Sequence, residues 1–192
     1  KRRDVWASAI CFAGYDVVAY GLMSWTPSYL LEVRHMSIVA TGFLASAPFF
    51  AATFSTIVGG WLFDRFVHKN PVLLISVIVP VVGAALLAMV YSSGVSGFII
   101  GQSVAMGFLS LAYMPIFGMT LRDLPSGVTG LGSSIINFGG QVAGAVTPLC
   151  MGFIADKISY SAAFSLLLVG AIVMLGGARL KASRPAASVF AS

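Results

Sequence analysis

The sequence predicts an all-α membrane protein, a six-transmembrane-helix bundle built of two inverted three-helix repeats, and three observations lead to that class. Of 192 residues, 58% are hydrophobic and 9% are charged, where soluble domains average about 45–50% and 25%. The apolar residues fall into six runs, each near the ~20 residues needed to cross a hydrocarbon layer of about 30 Å. The second and fifth runs close on one shared pattern, Gly-x-x-x-Asp followed by a basic residue.

The remaining composition narrows the class further. Eleven Lys/Arg and six Asp/Glu give a net charge of +5, too dilute for a disordered polyelectrolyte or a nucleic-acid platform. Cys11 and Cys150 both lie inside apolar runs and form neither a disulfide framework nor a metal-ligand spacing. The chain opens Lys-Arg-Arg-Asp without an initiator Met or a signal peptide, so it is expected to be part of a longer protein.

The expected spans are residues 5–31, 38–63, 72–91, 98–121, 128–155 and the shorter 162–178, separated by charged or Gly/Ser/Pro-rich breaks. Breaks of this length force consecutive helices to run antiparallel. Ten-residue segments of alternating hydrophobicity, the mark of an outer-membrane barrel, are absent, so backbone hydrogen bonds must close within helices. Trp6, Trp25, Tyr29, Trp61, Tyr91 and Tyr160 fall near span ends, as an interfacial aromatic belt would.

In the first span Asp16 lies ~16 Å from Val5, near the bilayer centre. An Asp there carries an insertion penalty of about 2.5–3.5 kcal/mol, so it should face the bundle interior or water, find a partner or be protonated. A carboxyl that alternates between those states suits proton coupling; a neutral, hydrogen-bonded structural Asp is the competing reading. Tyr20 and Met23 share its face, Ser24 follows, and Pro27 is placed to break the helix. The second span ends in Gly60-Trp-Leu-Phe-Asp64-Arg65, a candidate gating element. The fourth carries Gln102, Met106 and Tyr113, a second lining face or a packing surface. The fifth bears a stripe of Ser133, Ser134, Asn137 and Gln141 at helical spacing. Those groups can orient a substrate or bond a neighbouring helix. Gly140 and Gly144 on the same helix form a close-packing motif. The fifth span ends in Gly152-Phe-Ile-Ala-Asp156-Lys157.

Three crossings separate the two Gly-x-x-x-Asp-basic copies and place them on opposite sides of the membrane, as nested inverted repeats require. An Asp at a helix C-terminus opposes the macrodipole, so Asp64 and Asp156 are each expected to find a basic side chain or a helix N-terminus. Two ordinary interfacial turns would read the same way. With six crossings both termini share a side with Lys1, Arg2, Arg3, Arg65, Lys69, Arg122, Arg179, Lys181 and Arg184, while the other side holds Arg34 and Lys157. Nine against two predicts cytoplasmic termini.

Enzymatic readings fail on inventory. The only histidines, His35 and His68, lie in breaks, so Ser133 and Ser134 have no partner for an intramembrane serine protease. No second Asp lies within a span to face Asp16, and no Walker loop, metal-spaced helix or dinucleotide fingerprint is present. No cofactor is expected.

Three stretches resemble the C-terminal six-helix half of a major facilitator superfamily transporter, and the likeness covers nearly the whole chain. Gly60-Trp-Leu-Phe-Asp64-Arg65 is similar to the superfamily's Gly-x-x-x-Asp-Arg loop signature, with its further basic run reduced to His68 and Lys69. Trp25-Thr-Pro27-Ser-Tyr29-Leu30-Leu-Glu-Val-Arg34-His35 resembles the matching helix end of organophosphate:phosphate antiporters and of anion:cation symporters of sugar acids and other carboxylates. Leu124-Pro125 through Gly130, followed by Asn137-Phe-Gly139, resembles the symporters, whose matching Asn faces substrate. The antiporters' phosphate-binding Arg is replaced here in Ala19-Tyr20-Gly21, and no Lys or Arg lies at depth in any span.

The resemblance implies half of a twelve-helix secondary transporter in a bacterial inner membrane, surrounded by lipid, whose partner is a missing N-terminal six-helix half. It implies proton-coupled symport of a small organic anion by alternating access, with Asp16 coupling protons. The lining would comprise Tyr20, Ser24, Asn137, Gln141, Gln102 and Tyr113. Gly60, Asp64 and Arg65 would gate one side, and Gly152, Asp156 and Lys157 the other. An organophosphate antiporter, a carrier of cationic or neutral solutes, and a non-transporting assembly or sensor subunit are the alternatives. Nucleic acid is not an expected partner.

Overall fold

The structure is a computed structural model and describes residues 2–67, 70–122 and 124–182. Lys1, His68, Lys69 and Arg184, which entered the charge and motif counts, lie outside the described residues. Among the described residues, seven α-helices make six membrane-length spans. They are α1 (Arg2–Ser28), α2 (Ile38–Leu62), α3 (Pro71–Val90), α4 (Val95–Leu111), α5 (Tyr113–Leu121), α6 (Ser126–Lys157) and α7 (Tyr160–Ala182). The fourth span is α4 and α5 stacked end to end across a turn at Ala112.

Two helices start at side-chain caps. Ser37 caps α2 by accepting from the Ala40 N–H at 3.3 Å, and Asn70 caps α3 by accepting from Leu73 N–H at 3.3 Å with Pro71 at the first helical position. Pro27 does not break the first span. The α-helix runs to Ser28 and continues as one π-helical turn, Tyr29–Val33, because a residue without an N–H is absorbed by shifting the hydrogen-bond register. A second π-turn, Phe63–Val67, carries Asp64 and Arg65 beyond α2. The span expected to end at Leu31 therefore includes Glu32.

The packing interlocks two triplets of spans. The first helix of the first triplet, α1, packs against the second and third helices of the other, α6 and α7; α4 packs reciprocally against α2 and α3. Contacts fix the directions: Gly139 meets Ala9 while Gly144 meets Tyr20, so α1 and α6 are parallel, and Gly107 meets Ser55 while Gly59 meets Leu111, so α4 and α2 are parallel as well. Non-consecutive parallel neighbours related by this exchange are the geometry of an inverted three-helix repeat. At its centre α1 has 72% of its apolar window buried, whereas α2 and α6 have 11% and 22%. These two flanking helices thus carry most of the uncovered surface.

Both ends of the bundle are tied. At the end holding the termini, Ser8 and Thr120 share a buried 2.6 Å hydrogen bond and Lys181 lies 3.7 Å from Asp4. At the far end Arg34 donates to Tyr29 Oη at 2.9 Å and to the carbonyls of Ser93 and Ser92 at 2.8 and 3.1 Å, joining α1 to the α3–α4 turn. Tyr160 Oη donates to Glu32 at 2.5 Å, and the Tyr29 ring stacks on Phe98 at 4.4 Å. His35, at φ 50°, supplies the left-handed residue that reverses the chain between the π-turn and Ser37.

Candidate functional site

The residues singled out by sequence collect along the seam between α1 and α6. Asp16 is ~20 Å along a first span of 31 residues, near its middle. It is 4% exposed and faces the interior, not lipid. Its Oδ2 abuts Gly140 of α6 so closely that a methyl there would overlap both the carboxylate and the Phe12 ring, and that oxygen has no hydrogen-bond partner. Gly140 and Gly144 are small because their partners on α1 are large: a Cβ at Gly144 would stand 2.6 Å from the Tyr20 ring. The glycine pair packs helices, and it does so around the buried carboxyl.

One turn beyond Asp16, Tyr20 Oη donates to Gln141 Oε1 at 3.4 Å. Gln141 follows Gly140 directly, so this bond spans the seam beside the carboxyl. At 3.4 Å it is long for an O–H···O bond, whose usual length is about 2.7–2.8 Å, and Gln141 is exposed. Ser24 continues the same side toward the far end and is exposed. Asn137, half-buried one turn below Gln141, donates through Nδ2 to the Ser133 carbonyl at 3.2 Å, which leaves its Oδ1 available to another donor. Asp16, Tyr20 and Gln141 are therefore brought together, with Ser24 and Asn137 one turn away on their own helices.

Gln102 and Tyr113 diverge. Gln102 is 3% exposed, with Oε1 unpartnered, inside the packing of α4; it does not join the open face, because the side of α4 that bears it carries Phe98 against Tyr29 of the π-turn after α1. Tyr113 does approach the seam, through rings that the sequence reading missed. Phe12, Tyr15, Tyr113 and Phe117 form a cluster with centroid separations of 5.0–5.8 Å, in which Phe12 and Tyr15 stack and Tyr113 meets both edge-on. Phe12 is buried; the other three are half-buried and packed against the core. The i,i+3 and i,i+4 spacings of these pairs were readable on each helix. Their meeting across two spans was not.

The gating candidates differ between the two copies of the motif. Asp64 accepts from Arg122 Nη2 at 2.6 Å, and the Arg122 guanidinium lies 4.5 Å from the Phe63 ring centroid. This supplies the basic partner expected for Asp64. Gly60 faces Met114, and Arg65 lies over Phe66. In the second copy Gly152 receives the Trp25 indole, whose Nε1 donates to the Pro148 carbonyl at 3.1 Å. Asp156 and Lys157 are exposed at the helix end.

Comparison with known proteins agrees with this geometry. The family model of the Major Facilitator Superfamily matches residues 6–192. The probable galactarate/D-glucarate transporter GudP of Escherichia coli (strain K12) is 28% identical over 168 residues, 82% of this chain and 36% of that protein. The glycerol-3-phosphate transporter of Bacillus subtilis (strain 168) is 26% identical over 173 residues, 86% of this chain and 38% of that protein. Among solved structures, the inward-open xylose transporter XylE from E. coli superposes with a TM-score of 0.69 at 16% identity, covering 94% of this chain and 47% of that one. The chain thus spans about 40% of the relatives it matches, and the six-helix unit has the architecture of half of their fold. It is an integral membrane protein, and it belongs to the Major Facilitator Superfamily.

Proposed function

We propose that this chain is the C-terminal half of a secondary transporter that moves a small organic anion together with protons by alternating access. Relatives named for galactarate, glucarate and glycerol 3-phosphate support the anionic substrate. The observation that carries the proton-coupling reading is the buried Asp16, with one oxygen unpartnered, behind the single long Tyr20–Gln141 bond. A buried ionised carboxylate with one oxygen left unpaired is costly at membrane depth, so the closed seam favours the neutral form. Parting Tyr20 from Gln141 admits water and lets the proton leave. Tyr20, Ser24, Asn137, Gln141 and Tyr113 face the substrate path, and a second six-helix half covers the exposed sides of α2 and α6. Gln102 joins the lining in a conformation that opens α4 from α1.

With no Lys or Arg in the middle of these spans, the cation that holds the anion comes from the other half. The positive-inside count places both termini in the cytoplasm of a bacterial cell, in its inner membrane. In that orientation Gly60, Asp64 and Arg65 gate the cytoplasmic opening through the Arg122 pair, and Gly152, Asp156 and Lys157 gate the outer one.

The test is uptake of labelled organic acids into proteoliposomes containing the protein expressed from its complete reading frame. An inward-directed proton gradient should drive accumulation that a protonophore abolishes. Accumulation indifferent to the protonophore would remove the coupling.

A further inference from the structure

We infer that α1 and the fourth span are joined by two polar rungs made alternately: Ser8–Thr120 in the conformation seen here, and Thr26–Gln102 in its opposite. The inference goes beyond the transporter reading above and rests on its alternation between two states. Four contacts fix how the two spans face each other. Ser8 meets Thr120 at 2.6 Å, and the rings of Phe12 and Phe117, Tyr15 and Tyr113, and Tyr29 and Phe98 meet at 5.0, 5.8 and 4.4 Å. Each step along α1 is matched by a step back along α5 and α4, which sets Thr26, one turn before Tyr29, opposite Gln102, one turn after Phe98. Both are closed off, at 1% and 3% exposure, so no group from a second six-helix half reaches them in this conformation.

Yet this second rung is unmade. Thr26 Oγ1 and Gln102 Oε1 are both buried without a hydrogen-bond partner. Thr53, Thr56 and Thr147 each donate to the carbonyl four residues back in their own helix; Thr26 does not, so its hydroxyl is left for a partner across the seam. A hydroxyl donor facing an amide oxygen is a complete hydrogen bond once the two approach, and until then each forfeits its hydration. Gly60 and Gly152 stand 92 residues apart, and the same offset carries Ser8 to Ile100 and Thr120 to Ser28, which lie two residues from Gln102 and Thr26. The two rungs are thus near-equivalents at opposite ends of one seam. A bundle of two equivalent triplets that differ at such a contact has a second state of similar energy in which the difference is exchanged. Tilting the fourth span against α1 lengthens Ser8–Thr120 while it closes Thr26–Gln102. Parting of that span from α1 therefore starts at the end holding the termini, and Gln102, bonded through Oε1, keeps its amide N–H groups for the path.

The test is hydrogen–deuterium exchange on the protein expressed from its complete reading frame, with organic-acid uptake scored on the same preparations. Ser8→Ala should raise amide exchange around Ser8 and Thr120 and lower it around Thr26 and Gln102, by about threefold or more in each direction, the size of one lost hydrogen bond. Thr26→Val and Gln102→Met should do the reverse, and Thr26→Ser, which keeps the hydroxyl, should match the unsubstituted protein. Opposite signs at the two ends decide the matter, because a contact that only packs helices loosens its own end and leaves the other unmoved. Changes that are confined to the substituted end, of one sign at both ends, or absent overturn the inference, while the transporter reading stands on its uptake. If Ser8→Ala fails to assemble, the Thr26 and Gln102 variants carry the same test. Failure of the unsubstituted protein to take up any organic acid overturns the reading on which the inference rests, and the inference with it.

Discussion

The two long seams of α1 are built on opposite plans. Toward α7 the contact is backbone on backbone: a Cβ on Gly14 would strike the main chain at Gly170 and Met174, and one on Gly177 would strike that of Cys11. Toward α6, Gly140 and Gly144 receive the side chains of Phe12, Asp16 and Tyr20, and Gly21 of α1 receives those of Thr147 and Met151, while Gly139 meets the main chain at Ala9. At the centre of the first seam Gly14 and Gly170 meet directly; the second holds a buried carboxyl with an unpartnered oxygen and one stretched hydrogen bond. Backbone contact between two rigid rods has one solution, whereas side chains in a glycine groove can be withdrawn. The contrast predicts that α1 and α7 move as one body and that rearrangement falls between α1 and α6.

The contrast can be broken most severely at the tight seam. Gly177→Leu should prevent assembly, because overpacking a backbone contact costs about 1–3 kcal/mol or more and here the main chain itself must move; loss of a folded, detergent-extractable fraction is the expected outcome. Next, Gly140→Ala on the loose seam should leave the thermal midpoint within a few degrees while cutting transport about tenfold or more. The carboxyl can swing aside and the Phe12 ring must shift with it, so Asp16 loses its position. Gln141→Ala should lower stability by less than about 1 kcal/mol, since a long, partly solvated hydrogen bond contributes little. Its effect belongs in the half-saturating substrate concentration. The smallest effect is expected at Arg122→Ala. Its ion pair with Asp64 is exposed, at 49% and 72%, and such pairs contribute about 0–1 kcal/mol, so a normal melting curve with altered transport kinetics is the expected result.

The six spans were legible because a bilayer imposes a length on each apolar run, and the ends shifted by only a few residues where π-turns extended α1 and α2. Pro27 was legible as a disturbance but not as a π-turn, since the sequence does not say whether a missing N–H is met by a break or by a change of register. The inverted repeat was readable from one short motif. Its consequence, the exchange of second and third helices between triplets, needed coordinates. For the site, period and depth were enough to single out Asp16, Tyr20, Asn137 and Gln141, because polar groups on an apolar helix stand out one by one. Phe12, Tyr15 and Phe117 did not stand out, being aromatic residues among apolar neighbours. Gln102 looked like Gln141 in sequence and differs only in which side of its helix is covered.

The coupling role of Asp16 is tested most directly by Asp16→Asn, in which shape is kept and the ionisable proton is lost. Proton-driven accumulation should disappear in proteoliposomes while substrate counterflow at equal pH persists near the wild-type rate. Driven accumulation that continues undiminished in the Asn variant would contradict the coupling role.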